Sequence, residues 1–282
     1  MKELRVAAVQ MSPTEDRERN IETASRLMDK AVAKGARIIG LPEDFSYSGD
    51  TSGKLSFAMD EKTDPAVAFL RKYAKKNKVS IIGGSIPFKT DKKNKVSNTC
   101  LVIDTKGKIQ TRYDKMHLFD VSLNEAYMLN ESGHIKGGDS VVTVDLLGTT
   151  IGLSICYDLR FPELYRALTL RGAKIIFVCS AFTLHTGKDH WEALLRARAI
   201  ENQCYVVAPA QIGEYMPGVH TYGRTMMIDP WGQVLMKCQD KEDVIVADLD
   251  MEYLEDVRDR MPCLEHTHKK TFFSSKVYKK QS

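Results

Sequence analysis

Three observations predict a mixed-sheet α/β sandwich. Up to Gly84, apolar runs alternate with amphipathic stripes in the order β-α-β-α-β, which implies strands in a sheet with helices covering it. Further on, Thr105-Lys106-Gly107, Leu147-Gly148 and Asp229-Pro230-Trp231-Gly232 each join two apolar runs as a hairpin. Hairpins make antiparallel pairs, and a strictly alternating (βα)8 barrel, the other fold suited to 282 residues, has none.

Each element has a local reason. Residues 6–10 are a short apolar run, a buried strand. Residues 16–34 carry a helical stripe (Ile21, Ala24, Met28, Ala31, Val32) that Gly35 stops. The apolar run 37–41 is broken by Pro42-Glu43-Asp44, Asp64-Pro65 caps a helix reaching residue 77, and 79–84 is the next strand. Strands 98–104 and 108–112 form the first hairpin, and 141–146 and 149–156 the second. A helix over 162–171 stops at Gly172; strand 174–179, helix 189–202 and strand 205–210 follow. Strands 225–228 and 234–237 form the third hairpin, before a strand at 244–248 and a helix at 251–260. With no linker, repeat or low-complexity stretch inside it, the chain reads as one domain over 1–260 and a polar, lysine-rich tail over 261–282.

Composition excludes several classes. With 43% hydrophobic and 28% charged residues and 9 prolines, disordered, collagenous and disulfide-scaffold readings drop out. The net charge of +4 comes from the tail, because residues 266–282 hold five lysines and no acid. The body is near neutral and lacks the clustered basic face of a nucleic-acid binder. No stretch approaches the roughly 18 apolar residues of a spanning helix, and the N-terminal apolar run is too short for a signal peptide. The six cysteines are widely spaced without a CxxC, which argues against zinc, a redox dithiol or a secreted framework. Expected, then, is a cytoplasmic protein with reduced thiols, in which the sequon Asn130-Glu131-Ser132 is idle.

Cys156 is the most informative cysteine. It ends the apolar run from Thr149, and Tyr157-Asp158-Leu159-Arg160-Phe161-Pro162 then turns into a helix. A thiol at a strand tip ahead of a helix N-terminus meets free N–H groups and positive potential, which lower its pKa and can receive an oxyanion. The competing reading is a buried apolar cysteine. Gly152-Leu153-Ser154-Ile155-Cys156 is not a nucleophile elbow centred on Ser154, since the turn comes only after Cys156. Glu43 lies just beyond a strand end, where a parallel sheet would bring it to the same edge as Cys156, and Lys115 follows another strand. Taken singly, Glu43 and Lys115 each read more readily as a surface charge than as a catalytic group.

Together, Leu41-Pro42-Glu43, Tyr113-Asp114-Lys115-Met116-His117-Leu118-Phe119 and Ile155-Cys156-Tyr157-Asp158-Leu159-Arg160-Phe161-Pro162-Glu163-Leu164 resemble the three signatures of the nitrilase superfamily of carbon–nitrogen hydrolases, in order and spacing. The similarity runs from Arg5 to the last strand. His190-Trp191-Glu192, Leu195 to Asn202 and Asp229 to Gly232 resemble its Nit branch, of the ω-amidase and deaminated glutathione amidase kind.

The resemblance implies a four-layer α-β-β-α sandwich with mixed sheets, formed on dimerisation, with the helices after Cys156 and around 190–202 at the dimer interface. It also implies a Glu-Lys-Cys triad: Cys156 the nucleophile, Glu43 the general base and Lys115 the oxyanion stabiliser, helped by the backbone N–H of Tyr157. Neither metal nor organic cofactor is implied. The expected reaction is hydrolysis of a small carboxylate-bearing amide through a thioester, releasing ammonia. The alternatives are an N-carbamoyl amine or amino-acid hydrolase, a true nitrilase, or a catalytically silent partner-binding scaffold. Glu131 stands where the family has its second glutamate, with Glu125 as the rival, in a loop that departs from the Pro-Gly of many relatives. Arg160 is a candidate anchor for a substrate carboxylate or else a support for the turn after Cys156. His117, His185 and His190 read as scaffold, and Trp191 and Trp231 as packing residues.

Overall fold

A computed structural model describes residues 2–124, 127–216 and 218–268. Glu125 and the five tail lysines lie outside the described residues.

In chain order the elements are β1 (Glu3–Gln10), α1 (Arg17–Ala33), β2 (Ile38–Gly40), α2 (Thr51–Phe57), α3 (Pro65–Asn77), β3 (Ser80–Ile82), β4 (Ile86–Lys89), β5 (Val96–Ile103) and β6 (Ile109–Asp114). Then come β7 (Asp120–Asn124), β8 (Tyr127–Asn130), β9 (Thr143–Leu146), β10 (Thr149–Ile155), α4 (Pro162–Leu170), β11 (Ile175–Cys179) and α5 (Leu184–Asn202). The remainder is β12 (Tyr205–Ala208), β13 (Ile212–Met216), β14 (Val219–Tyr222), β15 (Met226–Ile228), β16 (Val234–Lys237), β17 (Asp243–Asp250) and α6 (Met251–Arg260).

Two mixed sheets result. One has the order β17-β1-β2-β3-β5-β4 with β6 also on β5; the other runs β16-β15-β12-β11-β10-β9. In each, three parallel strands carry antiparallel neighbours: β1-β2-β3 in the first, β10-β11-β12 in the second. All three predicted hairpins form, as β5–β6, β9–β10 and β15–β16.

Alternation along β1 shows how the layers stack. Ala7 and Val9 pack with Leu27, Met28 and Leu70 of α1 and α3, whereas Leu4, Val6 and Ala8 join the core of the second sheet. β11 is buried along its whole length, as a strand covered on both faces must be. On its far side lie α4 and α5, with Leu164, Leu168, Trp191 and Leu195 in the same core. At Gly40 the sheets approach so closely that a Cβ would sit 2.6 Å from the Phe177 ring. One chain therefore supplies all four layers, which corrects the expectation that dimerisation forms the sandwich: each sheet has its own helices to cover its outer face.

Local chemistry sets the boundaries. Asp16, Asp64 and Asp250 cap α1, α3 and α6 by accepting from backbone N–H groups of the first turn. The segment between Thr183 and Asp189, left irregular by the sequence reading, is helical and extends α5 back to Leu184. Two ribbons, β7–β8 and β13–β14, and the short helix α2 also went unpredicted, and all three lie at the functional site.

Candidate active site

Cys156 directly follows β10 and has φ +47°, a conformation that an L residue with a side chain adopts at a cost. The short 3-10 turn Cys156–Arg160 follows. Asp158, fully buried, holds this turn: it accepts from Ile155 N (2.8 Å), the Tyr113 hydroxyl (2.6 Å) and His117 N (3.0 Å), and lies 2.7 Å from His117 Nδ1. Arg198 of α5 braces it from behind, donating to the Leu159 carbonyl from Nε (3.0 Å) and Nη2 (2.7 Å). Asp158→Ala would strand several buried donors, so a loss of about 3 kcal/mol in unfolding free energy is expected by urea titration, with Asp158→Asn intermediate. Equal stability of Asp158→Ala and the wild type would count against this account.

Glu43 reaches Cys156 from the other sheet. The expectation of one shared sheet edge is corrected: Glu43 follows β2 in the first sheet, Cys156 follows β10 in the second, and face-to-face stacking brings the two strand ends together. Gly84, at φ +58°, lets the Pro42 carbonyl close in; a Cβ there would lie 2.0 Å from it. Glu43 Oε1 accepts from Lys115 Nζ (3.0 Å) and Asn98 Nδ2 (2.9 Å), and Oε2 accepts from Ala181 N (2.9 Å), just beyond β11. The Cys156 thiol lines the same cleft as this carboxylate, and the two bear on each other's charge.

Lys115 stands between two acids. Besides Glu43, its Nζ donates to Glu131 Oε1 (3.0 Å) and Oε2 (2.9 Å), and Glu131 also accepts from Phe119 N (2.6 Å). Glu131 opens a 3-10 turn that Asn130 caps at the end of the β7–β8 ribbon.

Burial sets the charge states. Burial alone would raise the Glu43 carboxyl, but the Lys115 and Lys54 ammoniums overcome it and hold Glu43 below the ordinary value. Burial opposes the charge on Lys115, yet Glu131 and Glu43 raise its pKa well above the usual range. Burial pushes the Cys156 thiol far up, and Glu43 beside it adds to this. The resting site thus pairs a neutral thiol with a carboxylate and an ammonium, an arrangement able to supply a nucleophile, a base and a cation.

These residues line one cleft that opens to the surface. Glu43, Lys115, Glu131 and Cys156 meet there, with Lys54, Phe119, Leu129 and Tyr215. Tyr157 and Arg160 line a smaller adjoining recess that shares Cys156, Phe119, Ala181 and Thr183 with the cleft. Arg160 does not brace the turn after Cys156, which Arg198 does; its Nη1 lies 3.3 Å from His190 Nδ1. Ser154 is buried, donating to the Phe177 carbonyl. Trp191 is core, but Trp231 is half-exposed, contrary to its expected packing role. Sequence reasoning missed Asn98, Asp158, Lys54 and Tyr215; a polar Asn inside the apolar run of β5 was the one visible signal. Among the described residues, no group of three or more His, Cys, Asp or Glu side chains is placed to hold a metal ion.

The carbon–nitrogen hydrolase family model matches residues 5–259. The chain belongs to this family. It is therefore an enzyme of the nitrilase superfamily that its motifs resemble, acting on non-peptide C–N bonds. A deaminated glutathione amidase of Synechocystis is 42% identical over 94% of this chain and 98% of its own length. The mouse omega-amidase NIT2 is 34% identical over 94% and 95%. Among solved structures, the C. elegans NitFhit protein superposes with a TM-score of 0.90 at 36% identity, covering 96% of this chain; the match spans 66% of that longer protein.

Proposed function

We propose that this hydrolase is a cysteine amidase cleaving small carboxylate-bearing amides through a thioester, with Cys156, Glu43 and Lys115 as its triad. The observation carrying the proposal is that Cys156 and Glu43 line a single cleft in which Lys115 bridges Glu43 and Glu131.

Glu43 takes the thiol proton as Sγ attacks the amide carbonyl carbon, and the carbonyl electron pair moves onto oxygen. Lys115 Nζ and the Tyr157 N–H stabilise that oxyanion, and Glu131 keeps the ammonium aimed. Collapse breaks the C–N bond; the nitrogen leaves as ammonia or amine with the proton from Glu43, and the acyl group remains on sulfur. Water, deprotonated by Glu43, then attacks the thioester, and collapse releases the acid and returns the proton to Sγ.

The names of the relatives support the amide class: one acts on deaminated glutathione and another is an omega-amidase. A panel of ω-amides of dicarboxylic acids, deaminated glutathione, N-carbamoyl compounds and nitriles, assayed for released ammonia or amine, tests it. Turnover of carbamoyl compounds or nitriles alone would reject the amide class, and no turnover on any member of the panel would reject the proposed substrate range altogether.

Homodimerisation belongs to the same proposal. Ile200 on α5 and Trp231 in the β15–β16 hairpin are each 50% exposed, and Ile200 lies against Gly232, the residue after Trp231, where a Cβ would meet its side chain at 2.5 Å. The five buried free cysteines suit a reducing compartment such as the cytoplasm.

A further inference from the structure

We propose that Lys54 of α2, rather than Arg160, holds the carboxylate of the substrate; this rests on the amidase proposal and deepens it. Lys54 is 4% exposed and lines the same cleft as Cys156 and Lys115, on a helix the sequence reading missed. Its ammonium pairs with Asp44, the residue after Glu43, and lies 5.7 Å from the centre of the Tyr215 ring. Tyr215 in turn donates to Asp44 Oδ2 at 3.3 Å.

The two cleft ammoniums are not loaded alike. Lys115 already serves two carboxylates, Glu43 and Glu131, through one Nζ. Among the described residues Lys54 serves one carboxylate, and an ammonium has three N–H donors. Lys115 thus shows how a buried lysine in this cleft carries two carboxylates, and Lys54 has room for its second to come from the substrate. Leu129 and Val219 line the cleft too and suit the methylenes between a scissile amide and a terminal carboxylate. Arg160 sits in the adjoining recess, its guanidinium 5.3 Å over the Phe182 ring and 5.8 Å over the Tyr157 ring.

The test compares glutaramate with valeramide, an uncharged amide of the same chain length, and reads the ratio of their kcat/KM values. In Lys54→Met that ratio should fall about 30-fold, the scale of one charge-assisted hydrogen bond, and Lys54→Arg should recover most of it. Because Lys54→Met strands the Asp44 carboxylate, the double variant Lys54→Met/Asp44→Asn is measured beside it and should show the same drop. Arg160→Met should leave the ratio near the wild-type value. An equal loss on both amides in the Lys54 variants, or a drop in Arg160→Met instead, overturns the assignment. A wild type that hydrolyses neither amide overturns the amidase proposal itself, and this inference with it.

Discussion

Replacing Cys156 with alanine will lower amide turnover by at least about 10⁴-fold, the scale on which loss of an essential nucleophile is felt. In the proposed mechanism the thioester forms on Sγ, and no other thiol stands in the cleft to take over: Cys100, Cys179, Cys204 and Cys238 are buried elsewhere and Cys263 is on the surface. Hydrolysis at the wild-type rate by Cys156→Ala would end the mechanism. Alkylation offers a second measurement. Two sites of iodoacetamide labelling are expected, Cys263 from its exposure and Cys156 through the cleft mouth, and only the second should cost activity. Burial and Glu43 hold the Cys156 thiol neutral at rest, so its labelling should climb as pH rises past neutrality, unlike that of a preformed thiolate. Substrate should protect Cys156 and leave Cys263 reactive.

Cys156, Glu43 and Lys115, the proposed triad that the structure brings into one cleft, were legible because each lies in a contiguous motif at the end of a strand. The approximate bounds set for α3 and α6 match the structure, and for α3 the reason is visible in the sequence, since Asp64-Pro65 writes its own N-terminal signal. Sheet membership was not legible. Strand ends are local features, but whether β2 and β10 share a sheet depends on pairings more than a hundred residues apart, so Glu43 was assigned to the right end of the sandwich and the wrong layer. Lys54 was invisible for a related reason: Thr51–Phe57 is seven residues long, contains Gly53 and shows no apolar stripe. Asp158 stood in plain view beside Cys156, yet two of its donors, Tyr113 and His117, lie 45 and 41 positions away. Tyr215 sits on a ribbon whose sequence alternates weakly and is broken by Gly213 and Gly218. What escaped was mainly the layer that holds and flanks the triad, which exists only after the chain has folded.

Lys115→Met will remove catalysis and also weaken the protein in a pH-dependent way. Lys115 is buried between Glu43 and Glu131, and deleting one partner of a buried ion pair typically costs about 3–5 kcal/mol, because the remaining charge stays uncompensated. In the wild type the Glu43 pKa is held below its ordinary value of 4.5, so Glu43 contributes stability above that pH and loses it as pH falls through its lowered folded value. Without Lys115, burial, the largest influence on Glu43, is opposed by one cation fewer, leaving Lys54 and the Asn98 and Ala181 donors, and its pKa moves upward. A carboxyl raised in the folded state destabilises above its unfolded pKa, so the variant should grow weaker from pH 5 to pH 7 relative to the wild type. Urea unfolding of both proteins at the two pH values reads this difference directly: the gap should be widest at pH 7 and narrow at pH 5. A gap independent of pH would mean that Lys115 stabilises by packing alone and that Glu43 does not depend on it for its charge. Turnover should fall by about 10³-fold or more at either pH, since acid relieves the stranded carboxylates but restores no cation to the oxyanion.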